Sequence, residues 1–182
     1  MIDARFTKEM RDVLKKLQGA EFVGYSTAKG CPNVFYSGIV NLQTSNGQIK
    51  ISNKAKQIPW FKGKELSDRE EIFAFHCEET PMHCREKDEN FISVREKIEG
   101  IEIITDKVEI PEKAYKITLD MAVIFYVGSH RYMISRGFYF TEYLELSLDQ
   151  NYDAIYSLKQ ALEDWNNSGE WMVTIERVVE KL

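Results

Sequence analysis

The sequence predicts an α+β fold of two related modules. Each module is a short helix followed by antiparallel strands, forming a bent sheet or small barrel, and a C-terminal helix and final strand are added. Three observations carry this expectation. The first is Met121 to Arg136, MAVIFYVGSHRYMISR, the most apolar run of the chain. Val123, Phe125 and Val127 alternate with Ile124 and Tyr126, so both faces are apolar, as in a central strand covered on two sides. Gly128-Ser129 then turns the chain and Tyr132 to Ser135 returns as a partner strand. Spanning a bilayer takes about 20 apolar residues, far more than this run supplies.

The second observation is that Gly38 to Asn53 lies over this hairpin without a gap at an offset of 83 residues. Val40 falls on Val123, Leu42 on Phe125, Ile49 on Tyr132 and Ile51 on Ile134, and Asn46-Gly47 is itself a hairpin signal. The third is an upstream match at an offset of 81, where VLKKLQGAEFVGY lies over VREKIEGIEIITD. Val13, Lys16, Gly19 and Glu21 there match Val94, Lys97, Gly100 and Glu102. Together these matches predict modules at 1–80 and 81–182, packed as one globular unit or as two.

Taken in order, Thr7 is placed to cap a first helix with Phe6 stapling its entry. Met10, Val13, Leu14 and Leu17 mark its buried face, and Gly19 stops it. Strands follow at Glu21–Ser26, Val34–Thr44, Gln48–Asn53 and Glu71–His76. The polar stretch Cys77–Asn90 separates the modules. Phe91, Val94 and Ile98 repeat the helical spacing, with Gly100 as the stop. Further strands are expected at Ile101–Ile110, Tyr115–Val127, Arg131–Ser135 and Tyr139–Leu148. A helix over Asp153–Trp165, with Ile155, Leu158, Leu162 and Trp165 on one face, precedes a last strand at Trp171–Val179.

Composition narrows function. Of the 182 residues, 43% are hydrophobic and 12% aromatic, enough for a packed core. A net charge of −5 with no basic stripe disfavours nucleic acid. The N-terminus lacks the apolar segment of a secretion signal, and three cysteines form no disulfide framework. The expectation is a cytoplasmic, soluble protein without a membrane partner.

The densest chemical cluster is FHCEETPMHC. His76, Cys77, His83 and Cys84 are the right residue types for a structural zinc site. Adjacent residues His76 and Cys77 point to opposite faces of a strand, however, and the familiar cysteine spacing is missing. Ordinary thiols and loop histidines are the plainer reading, and no cofactor is otherwise implied. Trp60 and Phe61, between lysines after Pro59, could anchor a partner or plug one end of the sheet. His130 and Arg131 sit at a hairpin tip with Arg136 beyond, a possible acid–base or anion site if Asp120 or Glu142 is near. Phosphate-binding glycine loops, the serine elbow and the zinc-protease helix motif are all missing.

The leading expectation is therefore a non-enzymatic intracellular binding protein of inhibitor, immunity or accessory type, with a protein as partner and a homodimer compatible. Its contact residues are Trp60, Phe61, His130, Arg131 and Arg136. The alternatives are a zinc- or small-ligand-binding domain using His76, Cys77, His83 and Cys84, and an enzyme working near His130.

Overall fold

In the computed structural model the described residues are 1–27, 36–59, 69–81, 91–139, 141–166 and 171–182. One continuous sheet dominates them. Its elements in chain order are β1 (Ile2–Ala4), α1 (Lys8–Lys15), β2 (Glu21–Thr27), β3 (Tyr36–Ser37), β4 (Ile39–Thr44), β5 (Gly47–Pro59), β6 (Arg69–Thr80) and β7 (Phe91–Ile110). After a short 3-10 turn come β8 (Tyr115–Val127), β9 (His130–Ser135), β10 (Leu144–Leu148), α2 (Tyr152–Ile155), α3 (Leu158–Trp165) and β11 (Thr174–Lys181). Strand neighbours run β3-β10-β9-β8-β7-β2-β4-β5-β6, with β11 on β7 and β1 parallel to β8. Only Gly38 separates β3 from β4. Because β3 pairs with β10 while β4 pairs with β2, the chain at Gly38 joins the two ends of the β10-β9-β8-β7-β2 run into a circuit.

Inside that circuit lies the first core. Val40, Leu42, Ile49, Ile51, Ile103, Val123, Phe125 and Ile134 meet there, each a strand residue facing inward by period-two alternation. α1 closes one end. Thr7 caps it by accepting a hydrogen bond from the Met10 amide at 3.3 Å; the helix ends at Lys15 with Lys16 as C-cap, short of the expected stop, and Gly19, at φ +84°, turns the chain three residues beyond that cap. Leu14 and Leu17 are buried by this plug, and a leucine removed from water in this way contributes about 1.5–3 kcal/mol.

The second core lies on the other side of β7, β8 and β9, beneath α2, α3 and β11. Ile104, Val108, Ile117, Leu119, Met133, Tyr139, Tyr152, Tyr156 and Trp165 pack there. β8 serves both cores and is buried on both faces, which is why its sequence is apolar without alternation.

Unlike the first, this second core encloses charge. Arg177 on β11 grips Asp106 on β7 through Nε and Nη2, both at 2.7 Å, and Tyr139 donates to the same carboxylate at 2.9 Å. Arg177 also donates to Asp153 and to the Tyr156 carbonyl. Burial alone would lower the Arg177 pKa, but the Asp106 bonds and charge outweigh it and raise it. On the opposite face, beside α1, Asp120 on β8 accepts from the Thr105 hydroxyl at 2.5 Å and the Phe6 amide at 2.7 Å, with Arg11 at 3.4 Å. Burial pushes the Asp120 carboxyl above the usual carboxylate range against those three bonds.

The two-module expectation is overturned. The fold is a single, mostly antiparallel sheet, not two helix-then-strand units. Residues 91–98, matched to α1 in the sequence, are strand. The physical reason is two register shifts in β7, between its pairings at Ser93 and Glu96 and between Ile98 and Gly100. Arg95 adopts φ +60° at the first of these. Each bulge inserts a residue and resets the alternation. Val94, Ile98 and Ile101 thus reach the first core at spacings of four and three, which imitate a helix. Gly100 is a strand residue opposite Tyr126, not a helix stop.

The hairpins do correspond. Val40 pairs with Ile51 as Val123 pairs with Ile134, and Leu42 with Ile49 as Phe125 with Tyr132. That likeness extends no further upstream. The expected helix over Asp153–Trp165 is also broken at Tyr156-Ser157. There Ser157 and Gln160 form a reciprocal capping box that starts α3 afresh.

Candidate functional site

Three aromatic rings gather on the inward face of the sheet: Phe22 and Tyr25 from β2 and Tyr132 from β9. The Tyr132 ring meets Phe22 edge-on at 5.3 Å and Tyr25 at 6.0 Å. Their backbones bring two further apolar side chains beside them. Ile92 on β7 lies opposite Tyr25, and Leu148 on β10 lies opposite Tyr132. Directly opposed residues share a face, so both should be covered. Instead Ile92 is 41% and Leu148 50% exposed. Apolar side chains on the core-facing side therefore reach solvent here.

A charged rim surrounds this edge. His130 Nδ1 lies 2.8 Å from Asp149 Oδ2, and the Arg131 amide donates to Asp149 Oδ1 at 2.8 Å. The Arg131 guanidinium donates to the Asp149 carbonyl at 3.3 Å. Asp149 holds φ +55°, a left-handed conformation that aspartate tolerates better than most side chains. Gly128 opens the β8–β9 turn at φ +56°, and the Glu96 carboxylate lies so close that a Cβ there would collide with Oε2.

The electrostatics follow from these neighbours. The hydrogen bond to Asp149, then the charge of Asp149 and that of Glu96, raise the His130 pKa above the usual histidine value. The same bond, with the Arg131 amide, lowers that of Asp149. Burial and the neighbouring Tyr132 push the Tyr25 phenol up to about 12, and burial with Glu96 and Asp149 raises that of Tyr132. Both phenols stay protonated at neutral pH, as donors rather than bases. Among the described residues no serine, threonine or cysteine side chain hydrogen-bonds to His130. The arrangement suits contact and charge matching better than nucleophilic chemistry.

Of the sequence-predicted residues, His130 and Arg131 belong to this rim. Their acidic partner is Asp149; the suggested Asp120 is buried and committed to Thr105, the Phe6 amide and Arg11. Arg136 is fully buried, donating to the carbonyls of Phe73 and Asp120, with its guanidinium 5.4 Å from the Phe75 ring. Burial lowers its pKa from the arginine value. It shares no surface with His130. Cys77 faces the first core, where burial raises its thiol to about 12, while His76 turns to the other face and meets Glu78 at 3.3 Å. Trp60, Phe61, His83 and Cys84 lie outside the described residues, and among those described no three His, Cys, Asp or Glu side chains gather as metal ligands.

Sequence reasoning missed Phe22, Tyr25, Ile92, Glu96, Tyr132, Leu148 and Asp149 as a group. The alternating Leu144, Leu146 and Leu148 gave one usable signal, since the outermost member of such a row is the one free to reach solvent. Ile92 and Glu96 were hidden by the helix-like spacing of β7. The chain matches no protein family, no curated protein and no solved structure.

Proposed function

We propose that this is a non-catalytic, cytoplasmic binding protein whose partner is another protein, docked on the Ile92–Leu148 edge. The observation that carries this reading is the exposure of these two aliphatic side chains beside the Phe22–Tyr25–Tyr132 rings. Protein contacts concentrate their energy in such apolar and aromatic centres ringed by polar groups that exclude water. His130, Arg131, Asp149 and Glu96 provide such a rim, with both signs of charge available for orienting a partner. No described helix is long and apolar enough to cross a membrane.

The test is affinity capture from the native host, followed by reconstitution with the purified partner. Leu148→Asp and Ile92→Asp place charge on exposed positions, so the fold should survive. Each is expected to weaken the reconstituted complex about 100-fold, the equivalent of roughly 2.7 kcal/mol. Affinities equal to wild type for both variants would remove this edge as the interface.

A further inference from the structure

β11 is bonded on one side only. It pairs with β7 from Thr174 opposite Glu109 to Lys181 opposite Glu102, and no described element pairs with its other side. The Leu182 amide donates to the Ile101 carbonyl at 3.0 Å, so Leu182 and every second residue before it turn their main-chain groups toward β7. Ile175, Arg177, Val179 and Lys181 therefore turn theirs outward, and no described residue bonds to those main-chain groups. Such a row is a template for another strand. Apolar side chains stand exposed along it, Met172 at 69% and Val179 at 54%.

We infer that this edge takes the β11 of a second copy of the chain, antiparallel about a twofold axis through Ile175. The charges on the strand select both partner and register. A twofold axis normal to the sheet sets one residue opposite its own copy, and like charges directly opposed are destabilising. Centred on any charged residue, the pairing opposes that residue to itself. Centred on Val178 it opposes Glu176 to Glu180, and centred on Val179 it opposes Arg177 to Lys181. Centres before Ile175 leave more of the strand unpaired. Centred on Ile175, Thr174 opposes Glu176, Val173 opposes Arg177 and exposed Met172 opposes Val178, so no like charges meet. Because Ile175 turns its main chain outward, its N–H and C=O groups bond to those of its own copy, and the Val173–Arg177 pairs continue the ladder on either side. Arg177 brings no unpaired charge to this contact, since Asp106 and Asp153 hold its guanidinium. The strand is thus its own complement in one register. The inference does not rest on the protein-docking edge at Ile92 and Leu148.

Sedimentation equilibrium on the full chain tests it. Wild type should dimerise as concentration rises. Thr174→Lys sets a lysine against Glu176 on both sides of the axis and should tighten the dimer about tenfold. Adding Glu176→Lys turns both pairs into lysine–lysine contacts and should loosen the dimer below wild type, although the net charge of each copy moves closer to zero. Both positions are exposed, so the fold of the single chain should survive. A mixture of Thr174→Cys and Glu176→Cys chains should oxidise to a disulfide-linked dimer faster than either chain alone, because these positions are directly opposed only in this register. A wild type that stays monomeric to millimolar concentration would overturn the inference. So would a dimer that Thr174→Lys fails to tighten, one that the double variant fails to loosen, or a mixture that oxidises no faster than its components.

Discussion

The two cores on either side of β8 are made differently. The first is almost wholly apolar, filled by inward-facing strand residues from most of the circuit and stoppered by Leu14 and Leu17. The second carries the buried Asp106–Arg177 pair among tyrosines. Apolar packing is non-directional and accepts repacking at a graded cost. A buried ion pair is directional, and its cost appears chiefly when one partner is lost. The first core can therefore end in a ragged edge, with Ile92 and Leu148 reaching solvent, whereas the second fixes how β11, α2 and α3 seat on the sheet.

Breaking the second core should have the largest effect. Asp106→Ala leaves Arg177 without its buried partner and is expected to cost about 3–5 kcal/mol in urea unfolding. The paired replacement Asp106→Leu with Arg177→Met should recover at least half of that loss. Strict additivity of the two single changes would contradict the contrast drawn here. In the first core, Leu42→Ala should cost about 2–5 kcal/mol, combining additively with distant apolar truncations such as Ile98→Val. A smaller loss is expected at the hairpin tip. Gly128→Ala forces φ +56° on a side chain at about 1–2 kcal/mol, while the Glu96 carboxylate, being the end of a flexible chain, can move aside.

The smallest effect is electrostatic. Because Asp149 raises the His130 pKa, the stabilisation from His130 is present while the ring is protonated and is lost as pH rises through its elevated value. The Asp149 pKa is lowered, so its own share is lost as pH falls through that depressed value. An NMR titration should place the His130 pKa above that of an ordinary histidine, and Asp149→Asn should bring it back down. A His130 titration unchanged by that substitution would show that the two side chains do not pair in solution.

Local pattern made part of this molecule legible from sequence. The hairpins at Val40–Ile51 and Val123–Ile134 and the Thr7 cap each depend on residues within a few positions of one another. So does the two-faced burial of β8. β7 was misread because its bulges at Arg95 and Glu99 convert strand alternation into helical spacing, and only the partner strands reveal which period applies. The proposed docking edge was harder still. His130 meets Asp149 through the pairing of β9 with β10, and Tyr132 meets Phe22 and Tyr25 across the inward face. Arg136 looked like a surface cation because nothing in its neighbours announces the Phe73 and Asp120 carbonyls that receive it.

The most direct test of the docking edge is site-specific photocrosslinking in the native host. A photoreactive residue is placed at Leu148 in one sample and at exposed Lys159 on α3 in another. The docking account predicts one discrete protein adduct from position 148, absent from position 159 and lost when Ile92→Asp is added. Crosslinks from 159 alone, or an adduct at 148 that persists with Ile92→Asp, would contradict it.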